Sequence, residues 1–231
     1  MINFEFRVSD FEFLYIMWLI IKQNRSFIIP YLFFLLISLF FLFSYSRSEI
    51  HIFINNYHNK TADIAFQVFS FLGTGYITAL FVIIYLFIRY RYAIVLAASG
   101  IAVAIIVRIF KLLIFPDLQR PVSYFKGVYD LYLVEGVKVH SYYSFPSGHT
   151  ATAFVLFMIL AVFVEKKWLK FIFCILALLT GYSRMYLSQH FLVDVVGGSV
   201  IGVIVAVMTI YLVNLYKKNW MEGSIKLKIK N

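Results

Sequence analysis

Apolar residues gather along this chain into long blocks, and the polar residues collect between them. Six blocks stand out, roughly 27–45, 64–88, 92–115, 148–164, 168–187 and 191–216. Each is close to the ~20 residues that a helix needs to cross a bilayer. The pattern predicts an all-α fold: an integral membrane bundle of six transmembrane helices. No stretch is left over for a separate soluble domain, so residues 1–231 are read as one unit. Residues 11–21 (FEFLYIMWLII) are apolar but too short to span, with Asp10, Glu12 and Lys22 at their ends. They predict an interfacial helix within an N-terminal segment, 1–26, lying against the bilayer.

Composition agrees, since 62% of the residues are apolar or aromatic and 14% are charged. Soluble domains keep their apolar share near half. The formal net charge of +10 raises nucleic acid as a partner, but the basic residues are dispersed. Arg7, Lys22 and Arg25 precede the first block, and Arg89 and Arg91 separate the second and third. Lys166, Lys167 and Lys170 separate the fourth and fifth, and Lys217, Lys218, Lys226, Lys228 and Lys230 follow the sixth. With alternating spans these thirteen share one side, while Arg47, Lys60, Lys126 and Lys138 lie on the other. The positive-inside rule then places both termini in the cytoplasm. The basic tail, 217–231, suits anionic lipid headgroups better than nucleic acid.

Smaller features add less. The lone Cys174 lies in the middle of the fifth block and reads as a core hydrophobe. The N-terminus lacks the pattern of a removable signal peptide. Glycines in "FLGTG" (71–75), and Gly197 with Gly198, read as notches for close helix packing. The long connection 116–146 is rich in aromatics and reads either as a lid or rim at headgroup level or as an amphipathic loop resting on the membrane.

Ionisable residues at membrane depth are costly and usually functional. They form three islands that the span count brings to one membrane face: Lys111 with Arg120-Pro121, then Pro146-Ser147-Gly148-His149, then Ser183, Arg184, His190 and Asp194. Lys111, Arg120 and Arg184 are three cations, as phosphoryl transfer requires for the charge of its transition state. Ser147 and Gly148 precede the fourth block, at a helix N-terminus whose amides and dipole favour an anion. His190 and Asp194 stand four apart, so the carboxylate can fix the imidazole tautomer and sharpen the other nitrogen as a nucleophile. His149, from another helix, can protonate the departing oxygen and later activate water. Other readings remain open: packing histidines, a snorkelling Arg184, or a metal held by His149, His190 and Asp194. The neighbouring cations argue against a metal, which they would repel.

These motifs resemble the signature of the type 2 phosphatidic acid phosphatase (PAP2) superfamily: K-x6-RP, PSGH, then SR-x5-H-x3-D. The second and third motifs keep every spacing. The first has eight residues between Lys111 and Arg120, two more than the pattern. A bend at Pro116 can absorb the difference, so Lys111 rather than Arg108 is assigned to the phosphate. The resemblance implies a six-helix membrane bundle in which His190, oriented by Asp194, forms a phosphohistidine and His149 acts as acid and then base. Lys111, Arg120, Ser147, Gly148 and Arg184 would hold the phosphate, with no metal or other cofactor.

The expected function is hydrolysis of a lipid phosphate or pyrophosphate headgroup in a bacterial cytoplasmic (inner) membrane, at a site facing the periplasm or exterior. Candidate substrates are undecaprenyl pyrophosphate, phosphatidylglycerophosphate, phosphatidic acid and lipid A phosphate. The alternative is a transporter or binding protein for an anionic lipid headgroup.

Overall fold

The computed structural model describes residues 8–216 and 218–225. Arg7, Lys217, Lys226, Lys228 and Lys230, and with them most of the basic residues of the tail, lie outside the described residues. Among the described residues every regular element is helical. The order is α1 (Val8–Gln23), α2 (Arg25–Ser44), α3 (Arg47–Asn55), α4 (Lys60–Leu72), α5 (Gly75–Leu86), α6 (Tyr90–Ile109), α7 (Pro121–Tyr124), α8 (Gly148–Phe163), α9 (Lys167–Tyr186) and α10 (Leu192–Leu215). A π-helical turn, Phe110–Ile114, continues α6, and a 3₁₀ turn, Asn219–Glu222, follows α10.

Hydropathy alone placed the spans, and local chemistry trims them. Ser46 opens α3 with a capping box: its hydroxyl accepts from Glu49 N at 3.2 Å, and the Glu49 carboxylate accepts from Ser46 N at 2.8 Å. Asn59 caps α4 by accepting from Ala62 N at 2.9 Å. The expected single span 64–88 is instead two helices, α4 and α5, bent by 53° at a break beside Gly73 and Thr74. Four helices (α2, α6 with its π turn, α9 and α10) are long and apolar enough to cross a membrane, and the bent pair makes five. The expected count of six depends on α8, which at 16 residues falls short of that length.

Burial explains the role of α8. Ala151 and every residue from Ala153 to Ala161 is buried, so the helix has no outward face. α10, α9 and α6 pack around it, while the large apolar side chains of α2, Phe33, Leu36, Phe40 and Phe43 among them, point outward. The α8–α10 contact is close because Gly198 and Gly202 lack side chains. A Cβ at Gly202 would stand 2.6 Å from the Ala151 carbonyl oxygen. Gly198 is therefore a packing notch, as its sequence suggests, and Gly202 is a second one.

α1 covers the 11–21 segment, and Ile20 inserts into the core while Leu14, Tyr15 and Trp18 are exposed. Lys170 departs from the sequence reading as a loop cation. It is buried, and its Nζ donates to Asn24 Oδ1 at 2.8 Å and to the Gln23 carbonyl at 3.0 Å, tying the α1–α2 turn to the start of α9. At the same end, Glu222 pairs with Arg89 and Arg91. The segment 116–146 is folded onto the other end, with Phe125 and Val134 buried.

Candidate active site

Three connections gather the polar islands at the end of the bundle opposite Glu222. The first is the turn from α9 into α10. His190 precedes α10, and Asp194 occupies the third position of that helix, where its carboxylate accepts from Phe191 N at 3.0 Å. This is half a capping box, because Phe191 has no side-chain acceptor to complete it. The same oxygen lies 3.3 Å from His190 Nδ1 and accepts from Ser144 Oγ at 2.5 Å. A carboxylate can only accept, so Nδ1 carries the proton and Nε2 keeps a free lone pair.

The second connection joins α10 to the start of α8. Ser147 N donates to the Asp194 carbonyl at 3.0 Å, and Gly198 receives the Ser147 carbonyl where a Cβ would stand only 2.5 Å from it. The Ser147 hydroxyl accepts from Thr150 N at 3.4 Å and lies 2.8 Å from Thr150 Oγ1. Its amide is therefore used, while its hydroxyl proton and the first amides of α8, at Gly148 and His149, face the helix entrance. Gly73, at the α4–α5 break, leaves room for His149: a Cβ there would sit 2.6 Å from the His149 carbonyl oxygen and 2.9 Å from its Cβ.

The third connection is the folded segment. Arg120 N donates to the Ser141 carbonyl at 2.8 Å, and Ser144 N to the Leu118 carbonyl at 3.1 Å. The Arg120 guanidinium donates to the Tyr142 carbonyl at 2.9 Å, the Tyr143 carbonyl at 3.5 Å and Gln189 Oε1 at 3.3 Å. Gln189 in turn donates to the Lys138 carbonyl at 3.1 Å. Arg184 donates to Ser70 Oγ across the bundle, and its Nε is buried with no hydrogen-bond partner.

The electrostatics follow from this crowding. His190 is 1% exposed, and its pKa is held well below the ordinary imidazole value, first by burial and then by the electrostatic influence of Arg120, Lys111, Arg184 and His149. A neutral imidazole results. His140, on the folded segment, is lowered too, by burial and by Arg120, Lys138, Lys111 and Arg184, so the same cations face it. Arg108 does not appear among the charges acting on either histidine, whereas Lys111 acts on both. A π-helical turn at Phe110–Ile114 carries Lys111 between the end of α6 and the segment that starts at Pro116.

Arg120 and Arg184 are both buried, and neither has an acidic side chain within ion-pair distance among the described residues. Buried cations without an ion-paired carboxylate are costly unless an anion joins them. Among the described residues no three His, Cys, Asp or Glu side chains are grouped to hold a metal. Beside His149, a cavity of about 470 Å³ runs along Gly73, Thr74, Gly75 and Tyr76, Val103, Ala104 and Val107, Gly148 and Thr152. Every site residue expected from the sequence is at this end. Ser183 is not part of it, since its hydroxyl bonds the Thr180 carbonyl of its own helix at 2.6 Å. Ser70, Ser144 and Gln189 were missed. Only Gln189 carried a local signal, its place directly before His190.

Fold and site together define a helical integral membrane protein with a buried centre of histidines and cationic side chains. The model of the PAP2 superfamily matches residues 92–218, over half of the chain, and the protein belongs to that superfamily. The chain is 37% identical over 73 residues to phosphatidylglycerophosphatase B of Bacillus subtilis (28% of this chain, 36% of that protein). It is 34% identical over 84 residues to lipid A 4'-phosphatase of Bacteroides thetaiotaomicron (36% of this chain, 37% of that protein). The matches thus span little more than a third of these curated relatives. The crystal structure of Aquifex aeolicus LpxE superposes with a TM-score of 0.64 at 28% identity, over 73% of this chain and 97% of that one. The first transmembrane PAP2 type phosphatidylglycerolphosphate phosphatase from Bacillus subtilis shares the fold, with a TM-score of 0.55 at 20% identity over 84% of this chain and 98% of that one.

Proposed function

We propose that the protein is a metal-independent phosphatase acting on the phosphate or pyrophosphate headgroup of a membrane lipid. The observation that carries this reading is the pair of buried guanidinium groups with no ion-pair partner, beside a neutral imidazole held by a carboxylate. Binding an anion accounts for the cations, but not for His190 held by Asp194 with Nε2 left free. Phosphatidylglycerophosphate, lipid A phosphate, phosphatidic acid and undecaprenyl pyrophosphate are the candidate substrates. The names of the relatives support the first two. The mostly apolar cavity beside His149 suits the chain of a lipid whose phosphate lies at headgroup depth.

In this mechanism His190 Nε2 attacks phosphorus, and the bond from phosphorus to the lipid oxygen breaks. His149, in its protonated form, gives that oxygen its proton. Asp194 stabilises the imidazolium of the resulting phosphohistidine. Water then attacks the phosphorus and gives a proton to His149; the P–N bond breaks, releasing inorganic phosphate and restoring His190. Lys111, Arg120 and Arg184, the Ser147 hydroxyl and the amide of Gly148 hold the phosphoryl oxygens throughout.

The proposed setting is the bacterial cytoplasmic membrane, crossed six times, with both termini inside and the site outside. α8 takes part because a helix enclosed by its neighbours need not match the hydrocarbon thickness alone. α1 would lie at the inner interface.

The test is phosphate release from a panel of these lipids by the purified protein in EDTA, with burst kinetics on an activated aryl phosphate. Wild type is expected to turn over and His190→Ala to show no burst. His149→Ala is expected to keep a burst, because an activated leaving group needs little protonation, and to stall at phosphohistidine. No release from any lipid would leave a binding protein or transporter. Activity lost in EDTA and restored by a divalent ion would sink the metal-free mechanism.

A further inference from the structure

The α9 helix ends in a Schellman motif. Gln189 N donates to the Arg184 carbonyl at 2.9 Å, and Ser188 N to the Met185 carbonyl at 3.0 Å. The residue between these bonds must take a left-handed conformation, and glycine usually occupies it. Here it is Ser188, at φ 50°. A serine has a Cβ to strain at that position, so its hydroxyl needs a reason to be there.

The hydroxyl is buried between two side chains of α3. Asn55 Nδ2 donates to Ser188 Oγ at 3.3 Å, and His51 Nε2 lies 3.2 Å from it. With Asn55 as donor, the Ser188 proton is free to go to His51, which must then accept it as a neutral ring. His51 is 2% exposed, and its pKa is lowered to about 4 by burial and then by His58, which keeps the ring neutral near pH 7. α3 is held in turn: Asn55 exchanges two 2.9 Å bonds with the backbone of Tyr132, and His51 packs against Phe125 and Phe191. The Ser188 turn stands between two phosphate-site groups, because Gln189 N and His190 N both close on the Arg184 carbonyl.

We infer that His51 and Asn55 are positioning residues for His190, acting through the Ser188 hydroxyl, which they clamp in a strained turn. α3 is then a buttress of the site. The kinetic part of this inference rests on the phosphatase reading, while the clamp itself does not.

The experiment uses the full-length protein in detergent with His51→Ala, Ser188→Gly and the double variant. Hydrogen exchange across residues 186–191 is measured first and needs no activity. His51→Ala should exchange faster there, whereas glycine adopts the turn unaided, so the double variant should exchange no faster than Ser188→Gly alone. Unchanged exchange in His51→Ala, or additive effects in the double variant, would overturn the clamp. The burst with an activated aryl phosphate is measured second. His51→Ala should form phosphohistidine about 10-fold or more slowly with its burst amplitude kept, since sub-ångström misplacement acts on rate. Ser188→Gly should restore most of that rate in the double variant. A loss of amplitude at unchanged rate would mean a purely structural role and would overturn the positioning. If wild type shows no burst while the exchange pattern holds, the phosphatase reading has failed together with the positioning of a nucleophile, and the clamp stands.

Discussion

Replacing Gly198 with alanine probes how tightly the second motif is seated against α10. The added Cβ would stand 2.5 Å from the Ser147 carbonyl oxygen, whereas ordinary contact begins at 3.4 Å, so something must yield by about 0.9 Å. The neighbour is backbone and cannot swing away. It is also the carbonyl that accepts Ala151 N at 3.0 Å, in the first turn of α8. Thr150 Cβ at 3.2 Å blocks sideways relief. Moving Ser147 therefore moves Gly148 and His149 with it. Overpacking of this kind costs about 1–3 kcal/mol of stability, and a displacement near 1 Å at a reacting group costs about 100-fold in rate. Gly202→Ala is the matched comparison, one turn further along α10. Its Cβ meets the Ala151 carbonyl at 2.6 Å and Phe154 Cβ at 2.7 Å, the same crowding one turn further into α8, past the second motif. Gly75→Ala meets nothing within 4 Å and is the neutral comparison. Thermal unfolding in detergent and turnover on a lipid phosphate are measured for all three. Gly198→Ala and Gly202→Ala should lose similar stability, and Gly198→Ala should lose far more turnover. Equal turnover losses in the two, or wild-type turnover in Gly198→Ala, would refute the idea that this notch sets the geometry of the second motif.

Two further outcomes follow from the first motif and from the charge asymmetry. Lys111→Ala should lower turnover about 100-fold, the usual loss for one electrostatic stabiliser, while Arg108→Ala should stay within about 3-fold of wild type, as surface changes generally do; the reverse order in steady-state assays would mean the π turn presents Arg108. Impermeant thiol labelling of intact cells should reach Lys138→Cys but not Lys166→Cys, with buried Cys174 giving little background, and labelling of Lys166→Cys alone would invert the proposed orientation.

The elements that were legible in the sequence are those whose cause is local. Hydropathy marks a helix because each residue meets the same lipid or core environment, and the four-residue step from His190 to Asp194 marks a contact because one turn of backbone separates them. The break at Gly73 is different. "FLGTG" announces small residues, but what requires Gly73 is His149, 76 positions later and in another helix. Likewise Lys170 reads as a loop cation until Asn24 and the Gln23 carbonyl are seen to receive it.

Partners so far apart leave no period and no spacing, only residue types that look unexceptional where they stand. Ser70 in an apolar helix reads as a small packing residue, yet it accepts from Arg184, 114 positions away. His51 and Ser188 are 137 positions apart, and neither is a fixed position of a motif. Ser188 nevertheless left a trace. A helix that closes through a left-handed residue favours glycine there, and "MYLSQH" offers serine instead. Motif spacing names the groups at the centre of a site. The groups that hold them in place are more often betrayed by a residue that is locally the wrong choice, because the interaction that compensates it lies elsewhere in the chain.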